Sequence, residues 1–128
     1  LPLPYHTWSY LITRSIVAVQ QISLDKAKTF ITNIYNGDQD QFDLPSKCEN
    51  DVLKLVAQYV ENTLSIPQSE FLKQYDNSDS LARIEFKFAA SNRVNGTPIC
   101  FLNGVESDLG AGTPFSTWKS VIDQLIAN

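Results

Sequence analysis

The sequence contains no methionine, a single histidine (His6) and two cysteines (Cys48 and Cys100) among its 128 residues. One histidine excludes an all-histidine metal cluster within one chain. Two cysteines and that histidine are too few for a structural zinc site. Basic residues are in deficit: ten Lys and Arg face fourteen Asp and Glu, for a net charge of −4. A nucleic-acid binder needs a basic face to neutralise phosphates, so this balance argues against one. No apolar run approaches the roughly 20 residues that span a bilayer. No secretory signal stands at the start. With Leu1 first and Met absent, a signal peptide, a pro-segment or more of the same domain is expected upstream. No cofactor is implied.

What is present fits a globular domain: 43% hydrophobic and 19% charged residues, in the range of packed rather than disordered chains. The opening Leu1-Pro2-Leu3-Pro4-Tyr5-His6 reads as extended, because each proline lacks a donor and pushes its predecessor out of the α region. Thr7 is the expected N-cap of a helix to about Gln21. Ser23 or Asp25 starts a second helix with Ala27, Phe30, Ile31, Ile34 and Tyr35 at helical spacing, ended by Asn36-Gly37. Residues 38–46 read as a polar loop. Asn50 is the expected cap of a third helix with the stripe Val52, Leu55, Val56, Tyr59 and Val60. Ser65-Ile66-Pro67 breaks the chain, and Pro67 suits the first turn of a short helix through Phe71, Leu72 and Tyr75. A further helix from about Asp79 to Ala90 carries Leu81, Ile84 and Phe88 on one face.

The character then changes. Thr97 to Leu102 is a compact apolar strand, and Asn103-Gly104 is a strong hairpin signal, with Val105 to Asp108 as the return strand. Ser116 is the expected cap of a last helix with Trp118, Val121, Ile122, Leu125 and Ile126 in step. A lone hairpin is marginal in water, so the sheet reads as incomplete.

The run Gly96-Thr97-Pro98-Ile99-Cys100-Phe101-Leu102-Asn103-Gly104-Val105 resembles the cis-proline strand and hairpin of thioredoxin-fold proteins, in particular the DsbA-like branch with a helical insert. Phe88-Ala89-Ala90-Ser91-Asn92-Arg93-Val94 resembles the helix end leading into that loop. Leu1 to His6 resembles the exit of the strand before the insert, and Ala111 to Asp123 the closing helix of eukaryotic DsbA-like proteins. The resemblance implies an α/β, thioredoxin-like fold with a DsbA-type helical insert, mostly helical in this chain with one C-terminal β-hairpin. It implies one domain over 1–128, incomplete at its N-terminus, with the insert and following core helix over 7–92 and the cis-proline strand, hairpin and closing helix over 97–128. The missing strand would come from upstream residues, a second chain or a swapped copy.

The family's redox motif, C-x-x-C or a single-cysteine variant, would lie upstream of the segment matching Leu1. Cys48 and Cys100 form no such motif, so no catalytic residue is expected within the chain. The resemblance implies thiol–disulfide oxidoreduction or isomerisation of polypeptide thiols by the parent protein, in the secretory pathway or outside the cell. The alternative is a non-catalytic thioredoxin-like module that binds a peptide or protein. A third reading is a mostly helical structural protein whose likeness is accidental. In the first two, Gly96, Thr97 and Pro98 form the substrate-binding loop, where an extended polypeptide pairs as an added strand; the competing view of Pro98 is a simple turn residue. His6 and Cys100 would be site-adjacent. His6 could stabilise a thiolate, against a structural role at a helix start. Cys100 could be a thiol near the site, against a buried, inert core residue; the bland role is favoured for both. A Cys48–Cys100 disulfide stays open. The sequon at Asn95-Gly96-Thr97 is disfavoured by Pro98, and no membrane span is expected.

Overall fold

Serine and alanine at the centre of α1 (Ser9–Ile22) let other helices approach it closely. Ser15 and Ala18 are fully buried beside Leu11, Val17 and Val19. This broad buried arc makes α1 the central helix of residues 1–93, in contact with the helices Leu24–Tyr35 (α2), Glu49–Leu64 (α3), Gln68–Asn77 (α4) and Asp79–Ser91 (α5). The Ser15 hydroxyl donates to the Leu11 carbonyl at 2.8 Å, which satisfies a polar group that would otherwise be costly to bury. In this computed structural model the described residues are 2, 7–94, 96, 99–110 and 112–127. The chain divides into two compact units, Leu1–Arg93 and Val94–Asn128.

In the first unit, the N-cap of α1 is Trp8, with no side-chain cap bond, rather than the expected Thr7. The Trp8 indole instead donates to the Leu44 carbonyl at 2.9 Å, so the side chain ties down a distant loop. Ser23 caps α2 (Leu24–Tyr35) as expected, its side chain accepting from the Lys26 amide. Gly37 then takes φ 118, a backbone conformation open chiefly to glycine.

The next segment is not the polar loop that its composition suggests. Residues Asp38–Phe42 form a 3-10 helix, and Phe42 is buried. Its ring meets Tyr59 edge-on at 5.4 Å. One apolar residue among polar neighbours has no period, so composition alone hid this anchor; its burial contributes roughly 1.5–3 kcal/mol.

Cys48, not Asn50, is the N-cap of α3 (Glu49–Leu64). Val52, Val56, Ala57, Val60 and Leu64 are buried, whereas Leu55, expected in the stripe, is exposed. Ser65 closes the helix at φ 52, and its carbonyl accepts from the Lys26 ammonium at 3.2 Å. Pro67 is the N-cap of α4 (Gln68–Asn77), which buries Phe71 and Tyr75. α5 spans Asp79–Ser91 and buries only Ala82. The expected face fares differently: Ile84 is 59% and Phe88 72% exposed.

In the second unit, β1 (Cys100–Leu102) pairs antiparallel with β2 (Val105–Ser107), with Cys100 opposite Ser107, Phe101 opposite Glu106 and Leu102 opposite Val105. Both strands are shorter than expected. Asn103 at φ 50 and Gly104 at φ 81 are the two left-handed positions of a type I′ turn, which matches the twist of the strands. Gly110 and Thr113 close the following loop: the Gly110 amide donates to the Thr113 hydroxyl, and the Thr113 amide to the Gly110 carbonyl, both at 3.0 Å. Pro114, not Ser116, is the N-cap of α6 (Phe115–Ile126), and no residue of α6 is buried. Every buried apolar side chain among the described residues belongs to the first unit. The architecture is mostly helical with a two-stranded antiparallel sheet.

Candidate functional site

The substrate loop expected at Gly96, Thr97 and Pro98 is described only at Gly96; Thr97, Pro98, His6 and the sequon Asn95 lie outside the described residues. Gly96 is half-buried. A Cβ built there meets no neighbouring atom within 4 Å, so space does not dictate glycine at this position. Cys100 opens β1 and is half-buried, and both it and the exposed Cys48 are free thiols. In an antiparallel pair opposite residues share a face. Cys100, Ser107, Leu102 and Val105 therefore lie on one face of the hairpin, and Phe101 and Glu106 on the other. Among the described residues no cluster of His, Cys, Asp or Glu could hold a metal ion. No helix among them is long and apolar enough to cross a membrane.

The first unit carries two polar constellations that periodicity did not reveal. One is centred on Asp79, the first residue of α5. Its Oδ1 accepts from the Tyr10 hydroxyl at 2.8 Å and its Oδ2 from Arg83 Nε at 2.7 Å, while Arg14 Nη1 stands 4.0 Å from Oδ1. The bond from Arg83, followed by that from Tyr10, holds the Asp79 carboxyl below its ordinary value. The same carboxylate raises Arg83. Tyr10 is pushed up, first by burial and then by its bond to Asp79. The arrangement is therefore an ionised acceptor gripped by donors, a joint between α1 and α5 rather than a proton-transfer centre. Only the i,i+4 spacing of Asp79 and Arg83 was visible in the sequence as a sign of this cluster.

The second is the Tyr59 hydroxyl, which donates to Asp38 Oδ2 at 2.5 Å and accepts from Asn33 Nδ2 at 3.0 Å. Burial, then the Asp38 bond, raises the Tyr59 phenol. Together with the Phe42 ring, this bond pins the 3-10 helix to α3. Neither constellation leaves a buried side-chain donor or acceptor unpaired among the described residues. Comparison with family models, with curated proteins and with solved structures finds no match to the chain.

Proposed function

We propose that this chain is the helical insert, proline loop, hairpin and closing helix of a DsbA-like, thioredoxin-fold protein of the secretory pathway or cell exterior, and that the parent protein exchanges disulfides with polypeptide thiols. In that chemistry a thiolate attacks a disulfide sulfur, forms a mixed disulfide and expels the second sulfur as a thiolate. Neither Cys48 nor Cys100 is the attacking group in this reading. The chain's part is to offer the backbone at Gly96, Thr97 and Pro98 to an extended polypeptide. The observation that carries the reading is the order of elements: a helical unit with its own core, then a hairpin turning at Asn103-Gly104, then the amphipathic α6. A two-stranded sheet is marginal alone, and α6 buries none of its apolar residues. Both features fit a sheet that continues into further strands of the same fold.

The free state of both cysteines, in separate units, favours a second reading for the chain itself: a binding module without redox chemistry. Titrating the protein with an unstructured polypeptide whose thiols are blocked, followed by amide chemical shifts, tests what the two readings share. Shift changes gathered at Gly96 and Ile99 to Leu102 are the expected result. Saturating polypeptide that leaves those amides unmoved overturns both. Turnover of a disulfide substrate by the full-length protein, retained in Cys100→Ser, then separates the first reading from the second.

A further inference from the structure

Residues 38–47 cross from α2 to α3 as a strap whose backbone bonds close on themselves. The Asp40 amide donates to the Gly37 carbonyl, the Asp43 amide to Asp40, the Leu44 amide to Phe42 and the Lys47 amide to Leu44. Among the described residues, no backbone bond joins residues 38–47 to an α-helix. Side chains fasten the strap instead. Phe42 sets its ring against Tyr59, and Asp38 accepts the proton of the Tyr59 hydroxyl. The half-buried Leu44 packs on the core, and its carbonyl accepts from the Trp8 indole. Two of these fastenings meet on one side chain, Tyr59 of α3. Gly37, at φ 118, stands where the strap leaves α2, at a backbone that turns with little steric resistance.

The helices on either side are held far more firmly. α2 buries Ala27, Phe30 and Ile34, and α3 buries five apolar residues. The strap buries one, Phe42, and Asp40, Gln41, Asp43, Pro45, Ser46 and Lys47 are exposed. Segments with few buried apolar contacts and solvated backbone open at lower free energy than the core beside them. The floor under the strap has support of its own: the Tyr59 ring lies 5.6 Å from that of Phe30, and its hydroxyl accepts from Asn33 of α2. Tyr59 therefore keeps its place between α2 and α3 when Phe42 withdraws.

We propose that residues 38–47 are a strap that opens as a unit while the helices stay folded, with Tyr59 as the latch that holds it shut. Opening bares the ring and hydroxyl of Tyr59. Chymotrypsin supplies the test, since it cuts after aromatic residues in extended chain and reaches Phe42 only when that ring has left its site. Phe30 in α2 and Phe71 in α4, both fully buried, report opening of the helices in the same digest. The full chain is digested at several urea concentrations below the unfolding transition. Initial rates at the three bonds are read by mass spectrometry, each divided by the rate of the same bond in a synthetic peptide. With opening fast relative to cleavage, these ratios follow the population of each open form.

The Phe42 bond is expected to be cut at least about tenfold faster than the other two, and almost independently of urea, because opening the strap exposes little surface. Tyr59→Phe is expected to raise the Phe42 rate about tenfold, the scale of one bond to a charged group, and to leave its urea response flat. Val17→Ala alters a buried residue outside the cluster that holds Phe42. It is expected to speed cutting at Phe30 and Phe71 and to leave Phe42 within about twofold of wild type. A Phe42 bond cut no faster than the others, or with the same urea dependence, overturns the proposal. An unchanged Phe42 rate in Tyr59→Phe removes the latch and counts equally against it. Should Val17→Ala fail to fold, the urea dependences of the three bonds in wild type decide the matter alone.

Discussion

The Arg14 side chain wraps the end of α4 at Tyr75 from two directions: Nε and Nη2 donate to the Tyr75 carbonyl at 3.0 and 2.8 Å, and the guanidinium carbon lies 4.0 Å from the centroid of the Tyr75 ring. Nη2 also reaches the Asp76 carbonyl at 3.3 Å. The last carbonyls of a helix have no partner within it and carry partial negative charge, so a cation there is favourable. A flat fork serves two bonds and a ring face at once, which an ammonium does not. Arg14→Lys keeps the charge and loses the geometry. It is expected to lower stability by about 1.5–3 kcal/mol, the scale of one bond to a charged group, read as a shift in the urea midpoint. A midpoint unchanged by the substitution would show that charge alone accounts for the contact.

Phe42 gives the sharpest packing prediction. Its ring is 2% exposed, and it is the only buried apolar side chain of the 3-10 helix Asp38–Phe42. Phe42→Ala removes that side chain from a closed site, with an expected cost of about 3–5 kcal/mol. Tyr59→Phe keeps the ring contact and removes the bonds to Asp38 and Asn33, with an expected cost of about 1–3 kcal/mol. Thermal unfolding of the two variants should rank them in that order; the reverse order would place the polar latch above the aromatic anchor.

These residues also show what could be read from the sequence. The helices emerged because Phe30 and Ile34, Val52, Val56 and Val60, and Phe71 and Tyr75 repeat with the helical period and are buried. The hairpin emerged because Asn103-Gly104 is one of few dipeptides that accept two left-handed positions in succession. Phe42 stayed hidden because a single anchor has no period. The N-caps are Trp8, Cys48 and Pro114, a residue or two before or after Thr7, Asn50 and Ser116, whose side chains suit a cap by type alone. Spacing puts Ile84 and Phe88 on one apolar face, yet Ala82 is the residue that α5 buries. Spacing defines a face but not what lies against it. The Asp79 cluster joins residues of α1 and α5, and only tertiary structure brings Tyr10 to it.

The hairpin turn sets the register of both strands. Gly104 at φ 81 occupies a region in which a side chain is strained, although nothing stands within 4 Å of a Cβ built there. Gly104→Ala therefore introduces backbone strain without a clash, at an expected cost of about 1–2 kcal/mol. With only three pairs of residues in the ladder, that loss is expected to raise amide exchange across Cys100–Leu102 and Val105–Ser107 while the helical unit keeps its protection. Unaltered exchange in the strands would mean that the turn is not what holds the register.

Acid should weaken the joint at the start of α5. The Asp79 carboxyl titrates below its ordinary value in the folded protein because Arg83, then Tyr10, bonds to its ionised form. The unfolded chain takes up the proton at about pH 3.9, before the folded chain does. The stabilisation from this group is therefore complete above the unfolded pKa and is lost as pH falls through the folded one. Asp79→Asn abolishes the charge and with it this dependence. The difference in urea midpoint between wild type and Asp79→Asn is expected to be larger at pH 7 than at pH 3. It should also shrink in molar salt, because the Arg83 and Asp79 side chains are 63% and 39% exposed and exposed pairs are screened. Measuring the difference between the two proteins cancels the other carboxylates, which titrate in both. An equal gap at both pH values would show that Asp79 acts through its shape and not through its charge.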